Sequence, residues 1–196
     1  MRSTWIFLFF LILIIIIIYI RYQNNDVVYV KSDIDNEYYL VRELDDRQQA
    51  ANMLAKIKNN IITLTNYLYQ NRNKNSFIDY EPYILQLNSR IKNVIIMEST
   101  TNSVYTSYSV NKGEQIVFCI RSKKIRNQFH KLNLIMYVVL HEIAHVACPE
   151  FGHTELFKRI FNFLTKIAVS IRMYQPINFS LYPAEYCGIT ITDSII

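Results

Sequence analysis

The pattern His-Glu-x-x-His occurs at residues 141–145 of this sequence. Histidines four positions apart lie on the same face of a helix, so the imidazoles of His141 and His145 can reach one metal ion. Glu142 would then lie beside the open coordination position, where a carboxylate can accept the proton of a water that attacks a carbonyl carbon. The spacing therefore predicts a catalytic Zn²⁺ site with two histidine ligands and Glu142 as general base.

A third ligand is expected close by, because a catalytic zinc site combines three protein ligands with one open position. Three of the four histidines fall within thirteen residues, and His153 is the third of them. Pro149 and Gly152 break the helix of the motif, and a new helix after them can turn the chain back toward the metal. We therefore predict His153 as the third ligand, with Glu155 and Glu150 as the alternatives.

The element that carries the motif is predicted to be a buried helix, because residues 132–147 are apolar over a helical length. Before it, β-branched and aromatic residues surround a glycine-containing turn in the segment 104–120, which favours a β-hairpin. The polar segment 122–131 connects the hairpin to the helix. His130 lies in this connector and is expected at the surface.

Two further helices precede the hairpin. Apolar residues recur at helical spacing across 44–68, which predicts an amphipathic helix packed in the core of the same domain rather than a coiled-coil partner. A second helix is predicted up to about residue 93, with Asp79 as its N-cap and Pro82 in its first turn. Residues 24–43 are interpreted as a tether that contains one short strand. The predicted fold class is α+β, with a small antiparallel or mixed sheet and the metal on two consecutive helices.

An apolar segment without any charge runs through residues 5–20 and extends to residue 4. At 1.5 Å per residue it is about 24 Å long, enough for a thin bilayer. No small-residue cleavage site follows, so an uncleaved single-pass anchor is favoured over a signal peptide. The predicted organisation is an anchor with its flank at 1–23, a tether at 24–43 and a zincin-like domain at 44–196.

Composition excludes several classes of site. Three glycines in 196 residues cannot form a P-loop or a dinucleotide-binding turn. The net charge is +5, and six of the basic residues lie between positions 112 and 131. We interpret this group as a solvated loop, with contact to phosphates or to an anionic membrane as the alternative.

The three cysteines are Cys119, Cys148 and Cys187. Their number is odd and no Cys-x-x-Cys spacing occurs, so neither a disulfide framework nor a cysteine zinc knuckle is indicated. Buried free thiols are the expectation.

The motif at 141–145, followed by Gly-His-Thr-Glu-Leu-Phe at 152–157, resembles the signature of WLM and SprT-type zinc metallopeptidases. The segment Ile-Val-Phe-Cys-Ile-Arg at 116–121 resembles the apolar strand that precedes the active-site helix in WLM domains. In zincins this strand forms the edge against which an extended substrate lies. The similarity covers about residues 112–168, the metal core of the predicted domain.

The resemblance implies zinc on His141, His145 and His153, Glu142 as the catalytic base and Phe157 packed behind the site. It also implies a protein or peptide substrate. A membrane-anchored, zincin-like chain of this size is similar to hypothetical WLM-like proteins of large DNA viruses, so a host or virion membrane is the expected location.

The function predicted from the sequence is that of a membrane-anchored zinc metallopeptidase that contacts the lipid bilayer through residues 4–20. Tyr186 is the candidate for stabilising the oxyanion, with core packing as the alternative, in a segment 174–196 that is predicted to have little regular structure. One alternative function is a non-catalytic membrane or virion protein with a structural or vestigial zinc site. Another is a DNA-associated protease that uses the basic residues at 123–131, although nucleic acid is not the expected partner.

Overall fold

The structure, a computed structural model, describes residues 2–23, 26–125 and 127–196, with the side chains of the first helix described for 5–19. It confirms the α+β class. A short 3₁₀ turn precedes the third helix, and two of the seven strands form a separate hairpin. In chain order the elements are α1 (Arg2–Gln23), β1 (Val27–Lys31), β2 (Tyr38–Arg42), α2 (Arg47–Asn71), α3 (Glu81–Ile91), β3 (Ile95–Glu98), β4 (Tyr108–Val110), β5 (Gln115–Phe118), α4 (Leu132–Ala147), α5 (Glu155–Ser170), β6 (Ala184–Tyr186) and β7 (Ile189–Ile191).

The main sheet has five strands in the order β1-β2-β3-β5-β4. Strands β2, β3 and β5 are parallel to one another, and β1 and β4 are antiparallel to their neighbours. The helices α2 and α3 make the crossover that a parallel β2–β3 pair requires. The interpretation of residues 24–43 as a tether is therefore wrong, because β1 and β2 belong to this sheet and Tyr39 and Val41 are buried in the core.

The predicted hairpin is present as β4 and β5, which pair from Tyr108↔Val117 to Val110↔Gln115. Strand β5 lies between β3 and β4, so β4 is the edge strand. The expectation that residues 116–121 form the edge is wrong, because the short β4 folds back and covers β5 on that side.

Helix α2 packs against the strands β1, β2 and β3, and α3 packs against α2 and α4. The predicted apolar face of α2 is confirmed, since all six of its residues are fully buried: Ala50, Leu54, Ile57, Ile61, Leu64 and Leu68. Helix α3 has a proline in its first turn as predicted. Asp79 is not its N-cap, because that residue lies within the 3₁₀ turn Ile78–Tyr80 and the cap position falls on Tyr80.

A buried ion-pair network centred on Arg121 joins several elements. The guanidinium donates from Nε to Glu98 at 2.7 Å and from Nη1 to Asp46 at 2.6 Å, and Glu98 also accepts the backbone N–H of Arg42. The interpretation of the basic group as a solvated loop is wrong for Arg121, which is 2% exposed because carboxylates distant in sequence surround it. Arg126, another member of that group, lies outside the described residues.

Helix α1 contains the apolar segment that is predicted to anchor the chain, and its described side chains are exposed. In the part of the chain that the structure describes, no helix has the length and apolar character needed to cross a membrane. The predicted transmembrane helix and the bilayer contact of residues 4–20 are thus unsupported, and membrane localisation stays a prediction from the sequence.

Candidate metal centre

Helix α4 is the element that positions the motif. It contacts the helices α2, α3 and α5 and the strand β4. From residue 135 to residue 148 every residue of this region is buried except His141 and His145. The helical spacing of four therefore places the only two incompletely buried residues of this stretch on the same face.

The imidazoles of His141, His145 and His153 converge through their Nε2 atoms. The separations are 3.2 Å between His141 and His145, 3.2 Å between His145 and His153, and 3.1 Å between His153 and His141. His153 reaches the helix because the chain reverses after Cys148 and enters α5, whose N-terminus is capped by the Thr154 hydroxyl accepting the N–H of Phe157. The structure thus brings together the three histidines that the sequence singles out.

The two alternative third ligands lie elsewhere in the structure. The Glu155 carboxylate is exposed and forms an ion pair with Lys158 at 2.6 Å. Glu150 is exposed too, and its backbone carbonyl accepts a hydrogen bond from Lys112 Nζ. Neither carboxylate is part of the described group of potential metal-binding side chains, which consists of the three histidines.

The three imidazoles fit a zinc ion in spacing and in charge. Nitrogen ligands about 2.0–2.1 Å from a tetrahedral zinc lie roughly 3.3 Å from one another, close to the separations observed here. Burial, together with the neighbouring imidazoles, lowers the pKa of His141 to about 3. Burial, His153 and the Lys112 ammonium lower the pKa of His145 to about 4. Both side chains are therefore neutral at pH 7, the form in which histidine binds metals.

Aromatic packing fixes the orientation of the imidazoles. The ring of Phe157 stacks on His145 with a centroid distance of 4.1 Å, and it meets His141 edge to face at 5.0 Å. Phe161, one turn further along α5, contacts His141 at 5.3 Å. The position of Phe157 agrees with the expectation that it packs behind the site.

Glu142 is 6% exposed, and its side chain lines the same cleft as the histidines. Burial raises the pKa of its carboxyl to about 7. A carboxylate whose pKa lies close to neutrality can both accept and release a proton at physiological pH. This property is what a general base in the predicted position requires.

The cleft beside the histidines has a volume of about 840 Å³. Its walls come from α4, from β4, from the loop before α5 and from the β6–β7 hairpin. The segment 174–196 has little regular structure, as predicted: in the described chain its regular elements are the two short strands of this hairpin, Ala184–Tyr186 and Ile189–Ile191.

Tyr186 is 1% exposed, and it lines the cleft together with Glu142. Its hydroxyl lies 2.7 Å from the Oγ of Ser107, which accepts the backbone N–H of Cys119 at 3.1 Å. Either hydroxyl can be the donor in this contact, and if Ser107 donates to the Tyr186 oxygen, the phenol proton is free to bond another group. Burial raises the pKa of Tyr186 above its usual range, and the negative charge of Glu142 adds to the effect.

The hairpin that carries Tyr186 is held by two residues that the sequence analysis misassigned. Cys187 forms a disulfide with Cys119, so the expectation of free thiols is wrong for this pair and confirmed for the buried Cys148. His130 is 7% exposed rather than at the surface, and its Nε2 accepts the backbone N–H of Cys187 at 3.1 Å. The two cysteines are 68 residues apart, and no local pattern marks them as partners.

No model of a known protein family matches the chain. The uncharacterized protein R325 of Acanthamoeba polyphaga mimivirus is 48% identical over 172 residues, which cover 88% of this chain and 86% of that protein. The chain therefore belongs to the same family as the mimivirus protein, and the predicted similarity to viral proteins is confirmed.

Two shorter matches and one solved structure complete the comparison. The uncharacterized proteins 136R of Invertebrate iridescent virus 6 and 042R of Invertebrate iridescent virus 3 are 44% identical over 69 residues and 40% identical over 70 residues. These matches cover 35% and 36% of this chain, and 38% and 43% of the viral proteins. The crystal structure of Wss1 from Saccharomyces cerevisiae aligns with a TM-score of 0.49 and 19% identity, over 67% of this chain and 87% of that one.

The disulfide leads to a stability prediction. Replacing Cys119 and Cys187 together by alanine should lower the free energy of unfolding by about 2–5 kcal/mol, because the bridge closes a long loop of the unfolded chain. Urea unfolding of wild type and variant measures the difference. Cys148→Ala is the control for loss of a buried sulfur without loss of a bridge. Three titratable thiols in the unreduced wild-type chain would contradict the assignment.

Proposed function

We propose that this chain is a zinc-dependent metallopeptidase in which His141, His145 and His153 hold the metal and Glu142 is the general base. The observation that carries the proposal is the convergence of three histidine Nε2 atoms within 3.2 Å of one another, on the wall of a cleft that also contains a buried carboxylate. Zinc bound there would polarise a substrate carbonyl and make a coordinated water more acidic.

Glu142 supplies the proton transfer. Its carboxylate accepts the proton of the attacking water and then delivers it to the leaving amine, so the same group acts first as base and then as acid. Burial favours this exchange, since the carboxyl pKa of about 7 lies near the working pH of most proteins. A site that only held a structural metal would gain nothing from a buried carboxylate at this position.

Tyr186 stabilises the negative charge that develops on the carbonyl oxygen of the substrate. Its hydroxyl lies 2.7 Å from the Ser107 hydroxyl, and the residue lines the cleft that also contains Glu142. A preorganised hydroxyl donor of this kind lowers the barrier because its orientation is fixed before the reaction starts.

The substrate that suits this cleft is an extended polypeptide. The edge strand β4 lines the cleft and offers backbone groups on its free side for pairing with a peptide. Three described members of the basic 112–131 group are engaged within the protein, since Lys112 and Lys123 donate to backbone carbonyls and Arg121 is buried. These contacts favour a protein substrate over the alternative of a DNA-associated protease.

Metal binding is the first test. The purified full chain should contain close to one zinc per molecule, because three imidazole nitrogens converge, and His141→Ala or His145→Ala should abolish binding. His153→Ala should weaken binding strongly, whereas the neighbouring Glu155→Ala should leave it intact. Elemental analysis after dialysis gives the stoichiometry. Zinc that persists after both motif histidines are replaced would refute the site.

Catalysis is tested with Glu142→Gln, which removes the base and keeps the shape of the side chain. Zinc affinity should stay nearly unchanged, while hydrolysis of a denatured protein such as casein should fall about 10²- to 10⁴-fold. The combination separates loss of chemistry from loss of metal. Full activity in Glu142→Gln would exclude the mechanism, and a zinc-loaded wild type that cleaves no such substrate would favour the structural-zinc alternative.

The role of Tyr186 is tested with Tyr186→Phe, which removes the hydroxyl and leaves the ring. If the hydroxyl stabilises the oxyanion, kcat should fall by about 10- to 10³-fold with little change in KM. Zinc content and the unfolding midpoint should remain close to those of wild type. An unchanged kcat would leave Tyr186 with a packing role and remove it from the mechanism.

A further inference from the structure

The C-terminus of α4 ends without a glycine cap, since Cys148 at the C-cap position is extended with φ −79° and ψ 129°. The last carbonyls of a helix need donors from outside the helix. Two side chains of α3 supply them. Gln86 donates to the carbonyls of Val146 and Ala147 at 3.1 and 2.8 Å, and Arg90 donates to Val146 at 2.7 Å.

Lys112 continues this set of donors beyond the helix into the loop that leads to His153. Its Nζ donates to the carbonyl of Cys148 at 3.0 Å and to the carbonyl of Glu150 at 2.7 Å. The ammonium also lies 4.1 Å from the centroid of the Phe151 ring, a cation–π contact. The Lys112 side chain therefore contacts Cys148, Glu150 and Phe151, all of which lie between His145 and His153.

The turn that carries Lys112 is itself docked on α4. Lys112 has φ +56° and Gly113 has φ +111°, so the β4–β5 turn is left-handed at both positions. A Cβ on Gly113 would lie 2.8 Å from Cγ1 of Val146, which shows how closely the turn approaches the residue next to His145. The backbone from which the Lys112 side chain extends is therefore packed against α4, the helix that carries His141 and His145.

The loop has few other polar attachments. Among the described residues, no backbone–backbone hydrogen bond involves residues 149–153. Phe151 is 83% exposed, and a Cβ on Gly152 would meet nothing within 4 Å, so side-chain packing holds this part of the loop only weakly. In the part of the chain that the structure describes, Lys112 is the side chain that donates hydrogen bonds to the carbonyls of Pro149 and Glu150.

We propose that Lys112 is a positioning residue of the metal site: it fastens the loop 148–153 to the end of α4 and thereby holds His153 against His141 and His145. It is not one of the three candidate metal ligands. Its effect is to reduce the conformational freedom that the third ligand would otherwise lose on binding metal. The inference rests on the proposed metal site, and it concerns how that site is preorganised.

Lys112→Met tests the proposal in the full chain, because methionine keeps the aliphatic stem and removes the three donors. In the metal-free protein, the backbone amides of residues 150–153 should exchange with solvent faster than in wild type. Zinc affinity, measured by competition with a chromophoric chelator, should fall about 10- to 100-fold, as when partners of metal ligands are removed. Lys112→Arg should restore much of both, since a guanidinium can also donate to several carbonyls.

Arg90→Met is the matched control. This substitution removes the hydrogen bond from Arg90 to the Val146 carbonyl, which belongs to the last turn of α4 and not to the loop. Zinc affinity and the exchange rates of the loop amides should therefore stay near the wild-type values. Equal effects of Arg90→Met and Lys112→Met would overturn the proposal, since Lys112 would then only cap the helix. The proposal would also be overturned if Lys112→Met had the same amide exchange rates and the same zinc affinity as wild type. A wild-type chain that binds no zinc contradicts the proposed function instead, and the exchange comparison then decides the role of Lys112 alone.

Discussion

The site depends above all on the nearly complete burial of α4. A helix enclosed by α2, α3, α5 and β4 can present ligands only where its cover is interrupted, and on this helix the interruption coincides with His141 and His145. The same enclosure removes water from Glu142 and from both imidazoles, which raises the carboxyl pKa and lowers those of the histidines. The burial of α4 therefore determines both which residues are accessible to a metal ion and the pKa values of Glu142, His141 and His145.

The remaining parts of the proposed site come from segments outside the main sheet and the long helices. His153 stands on an exposed loop, and Tyr186 belongs to a hairpin outside the main sheet. Each is attached by a specific bond: the loop by the Lys112 ammonium, the hairpin by the Cys119–Cys187 disulfide and the His130 acceptor. Such attachments reduce the conformational freedom that these two segments would otherwise have.

The sheet supports this arrangement through a charged interior. Arg121 joins Glu98 of β3 to Asp46 at the start of α2, and Glu98 also accepts a bond from Arg42 of β2. Burial raises the pKa of Glu98 while the guanidinium opposes that effect. A buried pair of this kind is costly to break, because either partner alone would be an uncompensated charge.

Local sequence determined the helices and the ligand face. Apolar spacing predicted α2 correctly, and the spacing of four put His141 and His145 on one face, since both depend only on helical geometry. The β4–β5 hairpin also followed from its turn residues. Tertiary structure decided what depends on distant partners: β1 and β2 joined the sheet, Arg121 and His130 were buried, and Cys187 met Cys119 across 68 residues. Contacts between residues so far apart in sequence are set by how the elements pack, so the spacing of residues along the chain does not predict them.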